Sequence, residues 1–204
     1  AVRPRVRRHA REPIVRRRLW SPQSDGEIEI DVVAGSELVA GKMLALLDRS
    51  AARDLYDVAR IADDPSRFAM GDEARARRIF IVMSAVLNHP LTSYGPSRIE
   101  RIADEAVLTT LHPLLRRDER PTVRDLRRSA TPLISRWLDL SAAEREYTDR
   151  VQVGDLRPEL LFPDEPEMLE RLRRHPALLW KVENARRHAA SGGRLGRRKE
   201  PEAD

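Results

Sequence analysis

The 204-residue chain is 41% hydrophobic and 35% charged, which is enough apolar content for one large domain or two small ones. Thirty-eight Lys and Arg against thirty-three Asp and Glu give a formal net charge of +5, a balance that favours an acidic partner such as nucleic acid. The absence of Cys excludes disulfides, thiolate catalysis and cysteine-held metals, and no apolar run suits a membrane span or the core of a signal peptide, so a cytoplasmic protein without membrane association is expected.

The chain opens with Ala-Val-Arg rather than Met, which suits a fragment or a product with an upstream half. Arginine dominates residues 3 to 18, and Pro4 and Pro13 interrupt regular structure, so residues 1–20 read as a basic arm or the remnant of an upstream domain. Such an arm is either solvated or touches RNA, where its arginines would add affinity rather than sequence choice. Ile14 to Trp20 suits a strand. Within residues 21–35, the segment GEIEIDVV alternates strictly, with Ile28, Ile30 and Val32 on one side and Glu27, Glu29 and Asp31 on the other. That pattern predicts a strand over residues 27 to 33, with its acids towards solvent.

The stretch SELVAGKMLALLDRSAARDLYDVARI, residues 36 to 61, predicts a helix, a short turn and a second helix. Ser36 is expected to cap the first helix and Glu37 to meet the positive end of its dipole. At the helical repeat, Leu38, Val39, Lys42, Ala45, Leu46 and Arg49 share one broad face. On the second helix, Asp54, Asp57, Val58 and Ile61 share another. Antiparallel packing across so short a turn brings Lys42 and Arg49 towards Asp54 and Asp57. Two readings stay open: a structural salt-bridge network, or a cation held ready for a phosphate.

A helical domain is expected over residues 36–190. Pro65 breaks the hairpin's second helix, and Asp72 restarts a helix whose later part, Arg78 to Leu87, carries the apolar stripe Ile79, Phe80, Val82, Met83 and Val86. His89-Pro90 ends it. Tyr94 lies in a loop and packs locally, Ile99 to Leu115 alternates short helical pieces, and His112 is structural. A helix from Pro121 or Thr122 carries Val123, Leu126, Ala130, Leu133 and Trp137 past Pro132. The arginines between Arg116 and Arg128 are interleaved with Asp118, Glu119 and Asp125, which reads as a solvated face. Ser141 and Glu144 form a capping box. Two last helices follow, Glu167 to Arg174 and Pro176 to Ala190, the second anchored by Leu178, Leu179 and Val182 with Trp180 partly buried. Residues 191–204 are too polar to pack and read as a disordered tail.

The run KMLALLDRSAARDLYDV resembles the block in AbiEii/AbiGii nucleotidyltransferase toxins where a Lys is followed by an Ala, an Arg and then Arg-Asp-x-x-Asp. Lys42, Ala45, Arg49, Arg53, Asp54 and Asp57 fall in that order, and HPALLWKVENARR resembles the family's C-terminal helix. The resemblance implies an α+β, mostly α fold in which a short sheet remnant of the nucleotidyltransferase palm precedes the helical domain. It also implies transfer of nucleotides from a nucleoside triphosphate to RNA, transfer RNA in the family manner, with Mg²⁺, in a toxin–antitoxin or phage-defence system with a cognate antitoxin. Lys42, Asp54 and Asp57 would be catalytic, Lys42, Arg49 and Arg53 would bind phosphate, and Asp31 with Glu29 would supply metal ligands.

The family's Gly-Ser followed by Asp-x-Asp has no counterpart, because Gly35-Ser36 leads into a helix without Asp-x-Asp. The metal-binding half is therefore missing from this chain. The alternatives are a non-catalytic helical protein that binds RNA or an antitoxin, and a decayed fragment without a biochemical role.

Overall fold

The computed structural model describes residues 15–19, 28–68 and 71–190. Most of the expected basic arm and the whole expected tail lie outside the described residues. Strand β1 (Val15–Leu19) pairs antiparallel with strand β2 (Ile28–Val32) in a two-stranded sheet, with Arg16 opposite Asp31 and Arg18 opposite Glu29. Alternate residues point to opposite faces, so one face is a cross-strand ladder of opposite charges. Arg16 reaches Asp31 at 3.4 Å and Glu29 at 3.9 Å. The other face leaves Ile28 44% and Ile30 39% exposed.

The remainder is helical, so the fold is a short sheet followed by a mostly helical domain, as expected. Helix α1 (Gly35–Arg49) and helix α2 (Ala52–Asp63) form the hairpin, joined by Ser50 and Ala51. Ser36 does not cap α1. Ala34 holds the cap position without a side-chain bond, and Ser36 is buried inside the first turn. The reason is register: Ser36 falls on the face of Val39, Ala40, Met43 and Leu47, all buried, so its side chain turns to the core. The face expected for α1 is rotated accordingly. Val39 and Leu46 are buried, but Leu38 and Arg49 are exposed and Lys42 lies at the border of core and solvent. On α2 the acids do sit among core residues: Asp54, Val58 and Ile61 are buried and Asp57 is half-buried.

Helix α3 (Glu73–Ser84) starts on Asp72, whose carboxylate accepts the Arg75 amide at 3.0 Å. It ends before Leu87, leaving Val86 half-buried beyond the helix. The short helices α4 (Ser97–Glu100) and α5 (Asp104–Ala106) lead into a π turn over Val107–Leu111 and a 3-10 turn over His112–Leu114. Helix α6 (Val123–Leu138) opens with a capping box of Thr122 and Asp125 and contains Pro132. Helix α7 (Ala142–Gln152) opens with the expected box of Ser141 and Glu144. Helices α8 (Pro166–Arg173) and α9 (Pro176–Ala190) complete the domain. On α9, Leu178 and Val182 are buried, but Leu179, one residue and about 100° round the helix, is exposed, and Trp180 is 52% exposed.

Helix α1 packs chiefly on α3, and α2 on α6. Tyr147 of α7 is fully buried and donates its hydroxyl to the Val82 carbonyl at 2.9 Å, tying α7 to α3. Arg77 of α3 pairs with Glu144, so the capping carboxylate of α7 also serves a neighbouring helix. Two arginines act as helix caps. Arg98 donates to the Leu47 and Asp48 carbonyls at the end of α1, and Arg127 donates to the Ile99, Glu100 and Ile102 carbonyls at the end of α4.

Candidate functional site: a charged cleft on the helical hairpin

The site begins with the turn. Ser50 adopts the left-handed conformation at φ 52°, and its amide closes α1 on the Leu46 carbonyl, so the chain reverses within two residues. That reversal sets the last turns of α1 beside the first turns of α2. Lys42 Nζ then donates to Asp57 Oδ2 at 2.6 Å. Arg49 donates through Nε and Nη2 to both oxygens of Asp54, at 3.0 and 2.6 Å, a bidentate fork.

The two pairs differ in setting. Lys42 and Asp57 have 36% and 30% of their side chains exposed, whereas the Asp54 side chain is only 6% exposed beneath its arginine. The hydrogen bond to Asp54 raises the Arg49 pKa further, against the opposing effect of burial. Asp57 engages one of the three N–H donors that a lysine ammonium carries. Arg53, one turn before Asp57 on α2, is exposed.

Lys42, Arg49, Arg53, Asp54 and Asp57 line one cleft of about 520 Å³, together with Ala51, Tyr56, Leu111, Leu114 and Leu115. The structure thus gathers five of the seven sequence-predicted site residues in one place. The other two, Glu29 and Asp31, do not line it. They stand on β2 facing Arg16. Among the described residues no group of three or more His, Cys, Asp or Glu is arranged to hold a metal ion. No helix among them is long and apolar enough to cross a membrane. His112 is structural, as expected, with Nε2 2.9 Å from the Pro121 carbonyl. Tyr94 packs locally under the Arg98 guanidinium.

Sequence reasoning missed the third wall of the cleft, Leu111, Leu114 and Leu115. Their signal was the apolar run VLTTLHPLL, which lacks a helical stripe because it folds as a π turn and a 3-10 turn. It also missed Arg98, which fixes the end of α1 next to Arg49.

The helical hairpin thus presents two cation–carboxylate pairs and a further arginine to one cleft. The family described as nucleotidyl transferase AbiEii toxin, Type IV TA system, matches residues 1–132, and the chain belongs to that family. No curated protein and no solved structure matches the chain. Every residue lining the cleft falls within the matched part, whereas the HPALLWKVENARR segment lies beyond it.

Proposed function

We propose that this chain supplies the phosphate-neutralising part of a nucleotidyltransferase that passes a nucleotide from a nucleoside triphosphate to RNA, with transfer RNA as the acceptor and a cognate antitoxin as its genetic partner. The observation that carries the reading is Lys42. It is fixed at the cleft by Asp57 and keeps two further N–H donors on a side chain a third exposed. Charge built up in phosphoryl transfer is stabilised chiefly by positioned cations. Lys42 touches the phosphates in this reading, Arg49 and Arg53 add to the field, and Asp54 and Asp57 position the cations.

Mg²⁺ supplies charge neutralisation when it accompanies the triphosphate. The described carboxylates do not fit a resident site for it, because Asp54 and Asp57 each already meet a cation while Glu29 and Asp31 face Arg16. This disagreement also favours a second reading, a non-catalytic protein that binds RNA or an antitoxin through the same cations.

The test pairs thermal melts with a transfer assay. Nucleoside triphosphate with Mg²⁺ should raise the melting temperature of the wild type and raise that of Lys42→Met much less. The chain alone should incorporate little or no labelled nucleotide into transfer RNA until a partner provides carboxylates. Absence of any ligand-dependent shift in the wild type would leave the salt-bridge reading of the hairpin standing.

A further inference from the structure

The cleft is lined by two chemically distinct sets of residues, of which the charged set comes from the helical hairpin. The other set is aromatic and apolar, Tyr56 of α2 with Leu111, Leu114 and Leu115. Leu114 is 63% exposed, so its placement there is not demanded by the core. The segment that carries it is held in place by hydrogen bonds. His112 is tied to the Pro121 carbonyl before α6, and the Thr109 and Thr110 hydroxyls donate back to the Glu105 and Ala106 carbonyls. π turns inside helical segments are concentrated at functional sites.

A ligand that engages both sets carries negative charge for the cations and a flat, largely apolar body for Tyr56 and the leucines. Inorganic polyphosphate lacks the second part. A volume of about 520 Å³ suits a single small molecule rather than a length of polymer. We propose that Tyr56, Leu114 and Leu115 form the nucleoside wall of the cleft, receiving the base and ribose of a nucleoside triphosphate whose phosphates lie towards Lys42, Arg49 and Arg53. Tyr56 offers a ring against which a base can stack, a contact that every base can make. Leu114 is the specificity-determining residue that favours a nucleotide over a bare polyphosphate. This inference rests on the phosphate-binding reading of Lys42.

The experiment measures binding of two probes, the four common nucleoside triphosphates and inorganic tripolyphosphate, to wild type, Leu114→Ser, Leu114→Met and Lys42→Met by calorimetry. Wild type should bind at least one nucleoside triphosphate more tightly than tripolyphosphate. Leu114→Ser should weaken that binding by about tenfold, a loss suited to one partly buried leucine, and leave tripolyphosphate unchanged. Leu114→Met should retain most of the affinity, and Lys42→Met should weaken both probes. If Leu114→Ser binds nucleotide as the wild type does while Lys42→Met loses both probes, the wall is wrong and the phosphate reading survives. Equal loss of both probes in Leu114→Ser, or equal affinity of the wild type for both, overturns the wall in the same way. Failure of the wild type to bind either probe overturns both readings.

Discussion

Lys42 and Asp57 meet at 2.6 Å across a turn of two residues, and the carboxylate thereby fixes where the ammonium stands in the cleft. The lysine is therefore paired in the free protein, which differs from a cation left incompletely balanced for a phosphate. The two readings of the hairpin are compatible, because a lysine can keep one carboxylate and still present its remaining donors.

Lys42→Met should cost about 1 kcal/mol of stability, the upper end for a pair that remains partly in water. Adding Asp57→Asn should recover most of it. Urea unfolding of the two single variants and the double variant measures the coupling. Because the loss is small on either reading, the ligand-dependent melting shift decides between them. A loss of several kcal/mol without recovery in the double variant would mean that the Lys42 ammonium makes a stabilising interaction beyond its pair with Asp57.

Arg49→Met should be more damaging than Lys42→Met, although Arg49 is the more exposed cation. Its partner Asp54 is almost fully buried and would be left as an unpaired carboxylate, at a cost of about 3 kcal/mol. Arg49→Lys should restore only part of this, since an ammonium cannot reproduce the two-pronged bond. Equal unfolding midpoints for Arg49→Met and Lys42→Met would contradict this ordering.

Much of this site was legible in the sequence, because the hairpin is local: the short turn and the helical repeat suffice to bring Lys42, Arg49, Asp54 and Asp57 together. Two capping assignments, on Asp72 and on Ser141 with Glu144, were also legible, since caps depend on residues a few positions apart. Ser36 was misread because its side chain answers to burial in the core, which local pattern does not contain. Leu114 and Leu115 were invisible as cleft residues for a related reason. Their position depends on how a π turn and a 3-10 turn bend the chain back onto α2. Leu179 shows the limit of apolar identity as a guide, because a leucine one step off the buried stripe stays in solvent.

Ser50→Gly should stabilise the hairpin by about 0.5–1 kcal/mol. The left-handed conformation at this position costs a side-chain-bearing residue strain that glycine lacks. The Ser50 hydroxyl is buried without a hydrogen-bond partner, so its removal also relieves a desolvated polar atom. Greater chain freedom in the unfolded state opposes the gain. A raised denaturation midpoint with an unchanged slope is the expected result. A lowered midpoint would show that the serine makes a contact worth more than the strain.

A pH dependence arises from a carboxylate that does not line the cleft. Glu73, in the first turn of α3, accepts the Trp137 indole N–H at 3.0 Å and the Arg136 guanidinium at 2.9 and 2.7 Å, joining α3 to α6. Burial alone would push its pKa up, but the bonds from Trp137 and Arg136 outweigh that effect and hold it below the ordinary glutamate value. A carboxyl whose folded pKa is depressed contributes stability that is fully present above its unfolded value, about 4.3 for glutamate, and is lost as pH falls through the folded value. Asp125, held by the Thr122 hydroxyl, and Asp155, held by Arg150, are lowered too, so acid unfolding of the wild type alone cannot be assigned to Glu73. The difference between wild type and Glu73→Gln isolates it, because glutamine keeps the shape and removes the charge. That difference in urea midpoint should be constant from about pH 6 upward and shrink steadily below about pH 4, levelling off only when pH has fallen through the lowered folded value and both side chains are neutral. Trp137 fluorescence should follow the same trend, since its indole loses a charged acceptor. A difference that does not change between about pH 7 and about pH 3 would show that the ionised carboxylate contributes nothing to holding α3 and α6 together.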